Sequence, residues 1–400
     1  MDALEGLTVL DFTSHIAGPY TTKLLADLGA RVIKVERPGG DCARALGPWL
    51  ADTPGIERSG TYQFLNTNKE SIVIDLERPE AAGIIERLVA MADLVVSAFP
   101  PLVAERLGVT HARVAAAKEV PFLWMTNFGS SGPYRDYRLS DTVLYAMGGE
   151  MFSHGTADRE PLKLGGTAAL LQCGAMGAVA ALGAVTAYET SGCGQLVELS
   201  LFETQINSVD RRSSAILGWR FSGRINARPP AAGGGIASGV FMCADGHVEV
   251  TASPGPYWER FVRMIDDPVL LEPRWQSPAV QMDPHAKEEA DAIIIPWMLS
   301  HTRREVWAAA RRQHAIVSPV FTGKDLFDDP VFRERGLWTD VEHAALGRFP
   351  MLGRPYMFEK TPWRIRRAAP VLGGDTRSVL IDAGYDGPGI DALYASRAVA

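Results

Sequence analysis

The first 130 residues alternate between short β-branched runs and stretches with helical spacing of apolar residues. The runs predicted as strands are Thr8–Phe12, Arg31–Glu36, Ser71–Leu76, Leu94–Phe99 and Phe122–Phe128. Between them, Pro19–Leu28 and Pro79–Met91 are predicted helices. Because strands that are separated by helices usually pair in parallel, the sequence predicts an α/β fold with a Rossmann-like sheet.

The turn after the first predicted strand lacks the glycines of a dinucleotide-binding turn. It reads Phe12-Thr-Ser-His-Ile-Ala-Gly18 and contains no Gly-x-Gly-x-x-Gly pattern. Without closely spaced glycines, the backbone cannot easily approach a pyrophosphate. We therefore expect neither NAD nor FAD as a cofactor.

Charge and residue spacing argue against several other functions. The net charge is −7 and no run of Lys and Arg stands out, so we expect no binding to nucleic acid or to a membrane surface. The histidines show no zinc-ligand spacing, so we expect no metal site. The cysteines lack paired motifs and the N-terminus lacks a signal-peptide pattern, which together predict a cytoplasmic protein with free thiols.

Composition also indicates how the chain is organised. The stretch Gly165–Tyr188 contains no charged residue, but it is mostly Ala and Gly, which favours a buried core helix over a membrane span. The composition changes near Arg224, where Pro229-Pro230 and Gly233–Gly235 follow. We predict a large domain over residues 1–223, a smaller α+β domain over 224–320, and a C-terminal segment, 321–400, that returns to the large domain.

Several motifs are shared, in order, with one enzyme family. They lie at Leu7–Phe12, Ala17–Pro19, Leu25–Gly40, Leu65–Leu76, Asn127–Tyr134, Gly192–Ser200, Phe241–Val250, Asp329–Gly336 and Ala369–Gly373. Together they resemble the class III CoA-transferases, which include formyl-CoA and carnitine CoA-transferases and 2-methylacyl-CoA racemase. The resemblance implies a Rossmann-like large domain built from both chain ends and an interlocked dimer. It also implies that acyl-CoA and a carboxylic acid are the substrates.

The resemblance further assigns residues to a CoA site. Two residues that follow the first predicted strand, His15 and Ile16, match positions along the family's CoA path. The family's basic CoA contacts match Arg37, Lys69, Arg106 and Arg138. An Arg side chain offers a planar fork to phosphate, and a Lys side chain offers a point charge. Ile16 stands where one branch of the family has a glutamine near the thioester.

One position departs from the family at the centre of its chemistry. The family segment Gly-x-x-x-x-Asp-x-x-x-Gly reads Gly165-Gly-Thr-Ala-Ala-Leu-Leu-Gln-Cys-Gly174 here, so Leu170 stands where the resemblance places the nucleophilic aspartate. In the transferases that aspartate attacks the acyl-CoA thioester and then carries the CoA. The racemase branch uses the same aspartate with a histidine that falls at Ser140, so both of its catalytic groups are replaced.

Three functions remain open on this evidence. In the first, the chain is the Asp-less subunit of a heteromeric CoA-transferase, and a related partner subunit carries the aspartate. In the second, the chain is an acyl-CoA isomerase, hydratase or lyase. In the second case Asp141, Glu150 and His154 are the candidate proton-transfer groups, and Asp141 has the alternative role of capping the helix predicted at Thr142–Gly148. The third possibility is an acyl-CoA binding protein without catalysis.

Overall fold

The computed structural model describes residues 2–207, 210–225, 228, 235–252 and 254–400. The chain divides into a larger unit of residues 1–154, 162–226 and 332–400, and a smaller unit of residues 155–161 and 227–331. Residues 155–161 thus belong to the smaller unit, and the return to the larger unit begins at 332, whereas the sequence placed it at 321. Of the glycine-rich stretch Gly233–Gly235, only Gly235 lies within the described residues.

The larger unit contains a parallel sheet. Its strands are β1 (Thr8–Phe12), β2 (Arg31–Glu36), β3 (Lys69–Val73), β4 (Leu94–Ser97), β5 (Phe122–Thr126) and β6 (Leu196–Ser200). They pair in the order β3-β2-β1-β4-β5-β6, every neighbouring pair being parallel. This is the order of a Rossmann-like sheet, so the predicted α/β fold class is confirmed.

Helices connect these strands and cover both faces of the sheet. They are α1 (Ala17–Asp27), α2 (Gly60–Leu65), α3 (Ala81–Met91), α4 (Pro101–Leu107), α5 (His111–Ala117), α6 (Asp141–Met147), α7 (Glu150–Ser153), α8 (Ala168–Ser191), α9 (Leu201–Asn207) and α10 (Asp210–Ser222). Within β1, Val9 packs in a core with Leu25 and Ala181, whereas Leu10 packs in a second core with Ile84. Both faces of the sheet are therefore buried, as the near-continuous apolar strands require.

Helix α8 lies against α1 because its small residues let the two backbones approach closely. Thr21 Oγ1 donates a hydrogen bond of 2.9 Å to the carbonyl oxygen of Gly174. A Cβ at Gly174 would lie 2.5 Å from the Ala17 carbonyl oxygen. Among the described residues, α8 is the one helix long and apolar enough to cross a membrane, and half of its apolar window is buried in the protein.

The smaller unit contains an antiparallel sheet with helices packed against it. Its elements are β7 (Ser238–Cys243), β8 (Gly246–Thr251), α11 (Pro256–Ile265), α12 (Pro278–Gln281), α13 (Pro284–Leu299), α14 (Arg303–Gln313), β9 (Val317–Pro319) and α15 (Gly323–Asp328), followed at the boundary by α16 (Pro330–Glu334). Cys243 pairs with Gly246, so the turn between β7 and β8 is Ala244-Asp245. Trp258 and Trp275, with ring centroids 6.0 Å apart, lie in its core.

The C-terminal residues return to the larger unit and cover its edge strand, β3. They form β10 (Trp338–His343), β11 (Gly347–Leu352), α17 (Thr376–Asp382) and α18 (Gly387–Ala395). The Ser71 amide donates to Asp375 Oδ2 at 2.9 Å, and Ile74 forms an antiparallel bridge with Val399. The larger unit is thus assembled from sequence-distant segments.

Candidate active site

A cavity of about 530 Å³ lies where the strands of the parallel sheet end. Its walls come from residues after β1 (Thr13, Ser14), after β2 (Arg37) and from α4 (Val103, Arg106). β1 lies between β2 and β4, so the connections leave the sheet in opposite directions at this point. Open parallel sheets bind ligands in the crevice that this reversal creates. The cavity is therefore the candidate site for a phosphorylated ligand.

Two of the predicted basic contacts meet in this cavity. Both Arg37 and Arg106 line it. Arg37 is exposed, and its Nε donates to the Gly40 carbonyl oxygen at 3.1 Å. The Arg106 guanidinium lies 3.4 Å from the Glu77 carboxylate, and both side chains are 66% exposed. An exposed pair of this kind is weak, so Arg106 can exchange Glu77 for a phosphate oxygen.

His15 lies beside this cavity, on a turn that buried charges hold in place. The Lys34 ammonium lies 2.8 Å from Asp41 Oδ2 and donates to the Thr13 carbonyl oxygen at 2.9 Å. Asp41 Oδ1 accepts the His15 amide hydrogen at 2.9 Å. This support keeps His15 exposed with a φ of 74°, a conformation that is uncommon for a residue other than glycine. The Lys34–Asp41 ion pair and the hydrogen bond from the His15 amide to Asp41 thus hold a conformation that more often requires glycine.

Glu36 occupies the end of β2, where dinucleotide-binding folds place an acid for a ribose hydroxyl. Here its carboxylate is turned inward. Arg44 donates to it with Nε at 2.8 Å and Nη2 at 2.9 Å, and Tyr62 and Ser71 add hydrogen bonds of 2.9 and 2.6 Å. Burial alone would raise the pKa of Glu36, but the Arg44 bonds and nearby charges lower it to about 2. Glu36 therefore serves the fold and has no oxygen left for a ribose.

Lys69 corrects one expectation from the sequence. Its side chain is fully buried, and Nζ donates to Pro19 O, Thr22 Oγ1 and Asn66 Oδ1 at 2.8–2.9 Å. It also lies 3.2 Å from the Asp11 carboxylate. Burial lowers the pKa of Lys69 to about 7, although Asp11 favours its charged form. With all of its donors engaged inside the protein, Lys69 does not reach a phosphate at the surface.

Leu170 lies in the first turn of α8 and is 4% exposed. It belongs to an apolar cluster with Ile16, Leu144, Tyr145 and Cys173. Burial, and to a smaller extent the Asp141 carboxylate, raise the pKa of the Cys173 thiol to about 12. The thiol one helical turn from Leu170 is therefore protonated at neutral pH, and it cannot replace a carboxylate nucleophile.

Asp141 lies close to this cluster, at the start of α6. The cap of that helix is Ser140, whose Oγ accepts the Val143 amide hydrogen at 3.3 Å, so the predicted capping role of Asp141 is wrong by one residue. The Asp141 carboxylate instead lies 2.7 Å from Lys163 Nζ, which also donates to the Gly166 carbonyl oxygen at 2.7 Å. Lys163 thereby joins Asp141 to the glycine pair before α8. Sequence analysis missed this lysine.

His154 and Glu150 form a second polar pair near the same cluster. His154 Nε2 lies 2.6 Å from Glu150 Oε1, one helical turn away. Glu150 is 3% exposed, and the His154 side chain is 15% exposed. The Glu150 and Asp141 carboxylates both raise the pKa of Tyr145, after the larger effect of its burial. Asp141 and Glu150 therefore lie near the same buried tyrosine, and His154 is paired with Glu150.

Arg138 is the remaining predicted CoA contact. It is exposed, in the segment between β5 and α6, and is not one of the described residues that line the cavity at the strand ends.

Within the described residues, no group of three or more His, Cys, Asp or Glu side chains could hold a metal ion.

Comparisons with known proteins place the chain in a family. The model of CoA-transferase family III matches residues 4–376. The chain is 29% identical over 405 residues to the succinyl-CoA:(R)-benzylsuccinate CoA-transferase subunit BbsE of Thauera aromatica, covering 98% of this chain and 97% of that protein. It is 28% identical over 389 residues to the succinate–glutarate CoA-transferase of Agrobacterium fabrum, covering 95% of each.

A solved structure agrees with this placement. The CaiB/BaiF family protein of Brucella suis has a TM-score of 0.83 and 25% identity, covering 96% of this chain and 99% of that one. The family resemblance that the motifs predicted is confirmed by the match over residues 4–376. The chain belongs to CoA-transferase family III.

Proposed function

We propose that this chain is the subunit of a heteromeric CoA-transferase that lacks the nucleophilic aspartate. A related chain would supply the aspartate, and together the two would move CoA between carboxylic acids. The observation that carries the proposal is the state of Leu170, which is 4% exposed within an apolar cluster. A nucleophile must meet the thioester, and this side chain has neither the chemistry nor the exposure for it.

The chain's own contribution in this proposal is to bind CoA. The cavity at the strand ends has a volume of about 530 Å³ and carries Arg37 and Arg106 on its walls. Phosphate groups pair well with guanidinium groups, so these two arginines are the proposed phosphate contacts. His15 and Ile16, on the turn beside the cavity, would lead the pantetheine arm toward the thioester site. Arg138 does not line this cavity, and its role as a CoA contact stays a prediction.

The similarity to BbsE of Thauera aromatica supports the two-subunit arrangement. That protein's name describes it as a subunit of a CoA-transferase, and it is 29% identical to this chain over nearly the full length of both. We therefore propose that the interlocked dimer predicted from the family forms between this chain and a related, Asp-containing chain. A dimer of two copies of this chain would leave both sites without the carboxylate.

The first test is a CoA-transfer assay with the purified chain. A panel of acyl-CoA donors and carboxylate acceptors would be offered, and products and intact protein would be read by mass spectrometry. We expect CoA binding with neither transfer nor a covalent protein–CoA adduct. Affinity purification from the native host should then recover a related chain with aspartate at the position of Leu170, and mixing the two should restore transfer. Transfer by the isolated chain, with an adduct on another carboxylate, would refute the proposal.

A second candidate function is proton transfer at the α-carbon of an acyl-CoA. It is favoured by the 2.6 Å Glu150–His154 pair and by the position of Asp141 near the same tyrosine. Incubation of the purified chain with acyl-CoA in D₂O tests it, because an enolising enzyme exchanges the α-proton for deuterium. Exchange that is lost in Asp141→Asn and His154→Gln, with CoA affinity retained, would establish this function. Binding with neither exchange nor a partner would leave a non-catalytic acyl-CoA binding protein.

A further inference from the structure

A second cavity, of about 390 Å³, lies beside the position of Leu170 in the larger unit. Its walls come from the turn after β1, from α2, from the first turn of α8 and from the hairpin of β10 and β11. We propose that this cavity receives an uncharged, apolar acyl group of about six to ten carbon atoms, attached to CoA. This inference rests on the proposed CoA-binding function and names the substrate class of that site.

One continuous turn, the one after β1, connects the two cavities. Thr13 and Ser14 line the cavity at the strand ends, and Ile16, two residues later, lines the second cavity. His15 lies between them and is exposed. A CoA molecule whose phosphates meet Arg37 in the first cavity therefore passes His15 before its acyl group enters the second.

The first turn of α8 brings the same cavity next to the reaction centre. Thr167 and Leu171 line it, on either side of the buried Leu170. A CoA thioester that binds against this turn would have the cavity as the adjacent space for its acyl group. The cavity is thus placed to select the acyl group of the thioester that this chain binds.

The chemistry of the walls selects against charge. Most of the side chains that line the cavity are apolar, among them Ile16, Phe64, Leu171, Trp338, Met351 and Leu352. No Arg, Lys or His is present among the described lining residues. The Thr61 hydroxyl already donates to the Gly47 carbonyl oxygen at 2.7 Å. A terminal carboxylate, as in a dicarboxylic acyl group, would lose its hydration there without gaining a cationic partner, which is costly.

The volume of the cavity and the packing of one of its walls indicate the size of the acyl group that fits. A dry cavity of about 150 Å³ is enough to hold benzene, and this one has about 390 Å³. One wall is fixed, because Phe64 packs against a separate core cluster formed by Val341, Met351 and Ala368. A short acyl group such as acetyl would leave most of this space empty, whereas a six-carbon chain or a phenyl ring would fill it.

The test is calorimetric titration of the purified chain with a matched series of probes: CoA, acetyl-CoA, hexanoyl-CoA, phenylacetyl-CoA and succinyl-CoA. Each methylene that is transferred from water into the cavity should tighten binding by about threefold to fourfold. Allowing for the ordering of the chain, hexanoyl-CoA and phenylacetyl-CoA should bind at least about 20-fold more tightly than acetyl-CoA. Succinyl-CoA should bind no more tightly than acetyl-CoA.

Two variants locate the effect. Thr61→Trp fills the cavity from α2 and should remove the preference for hexanoyl-CoA while CoA itself binds as before. Thr53→Trp is the matched control, because Thr53 is exposed and its hydroxyl also donates to a backbone carbonyl oxygen, that of Ala51, at 3.0 Å. If Thr61→Trp does not fold, Leu352→Glu provides the same test from the opposite wall, since Leu352 is 41% exposed.

The outcomes separate this inference from the proposed function. Equal affinity for CoA, acetyl-CoA and hexanoyl-CoA would overturn the acyl-cavity inference and leave CoA binding intact. Tighter binding of hexanoyl-CoA that survives in both Thr61→Trp and Leu352→Glu would also overturn it, because the chain would then bind elsewhere. If the folded protein binds none of the probes, the proposed function itself fails, and the inference fails with it.

Discussion

Leu170→Asp tests whether this chain has adapted its site to an apolar residue. The position is the third residue of α8 after the cap Thr167, and its side chain is 4% exposed. Loss of the buried leucine costs about 1.5–3 kcal/mol, and removal of a carboxylate from water costs several kcal/mol more. The positive end of the helix dipole returns only about 0.3–1 kcal/mol. We therefore expect the free energy of unfolding to fall by roughly 4 kcal/mol at pH 8.

The pH dependence identifies the carboxylate as the cause. Burial disfavours the charged form, so we expect the introduced carboxyl group to have a folded-state pKa above its unfolded value. Between those two values the folded state holds a proton that the unfolded state has released, so stability falls as pH rises. The variant should consequently be closer to the wild type at pH 5 than at pH 8, by about 1.4 kcal/mol for each unit by which the folded-state pKa exceeds 5.

Urea unfolding of Leu170→Asp at pH 5 and pH 8 measures this effect, with Leu170→Asn as the control of equal size and no charge. The asparagine variant should lose the same stability at both pH values. If the two variants are equally stable at pH 8, the site accommodates a carboxylate without penalty. The reasoning that this chain has replaced its nucleophile and repacked around the replacement would then be wrong.

Three further perturbations test other parts of the structure. Replacement of both Arg37 and Arg106 by Met should weaken CoA binding by about tenfold or more and reduce its salt dependence, as measured by calorimetry at low and high ionic strength. Glu36→Gln should lower the free energy of unfolding by about 3 kcal/mol at pH 7. Because the pKa of Glu36 is lowered to about 2, that deficit should shrink as the pH falls from about 4.5 toward 2 in urea titrations. Gly174→Ala, whose Cβ would lie 2.5 Å from a carbonyl oxygen of α1, should lower the melting temperature. Gly183→Ala, with open space around it, should raise the melting temperature slightly.

Elements whose signal is local were predictable from the sequence. The bounds of β1 and β2 match the predicted Thr8–Phe12 and Arg31–Glu36. The ends of helix α11 are likewise set by local signals, because Pro256 begins it and Asp266, with positive φ, ends it. The hairpin of β10 and β11 was missed. Its strands contain Asp340, Glu342 and Arg348 among apolar residues, and the pairing partner that makes them strands is not visible in either segment alone.

For the site, the sequence named single residues but not the contacts between them. Arg37 and Arg106 line one cavity, and their assignment to CoA stays a prediction. Lys69 was assigned from the family resemblance, and the sequence does not reveal that its side chain meets Asp11, 58 residues earlier. The Asp141–Lys163 pair was missed for the same reason, since it joins groups on two segments that only the tertiary fold brings within 2.7 Å.

The covering of β3 by the C-terminal residues has a consequence for how the protein is made. The hydrogen bond from the Ser71 amide to Asp375 spans 304 residues. At about 5–20 residues per second, a ribosome needs roughly 15–60 s to complete that interval. During this time the edge of the sheet has no partner, and uncovered edges are where sheets pair wrongly with other chains. The first third of the nascent chain therefore keeps β3 uncovered until the C-terminal residues have been synthesised. This is the stage at which we expect chaperones to engage it.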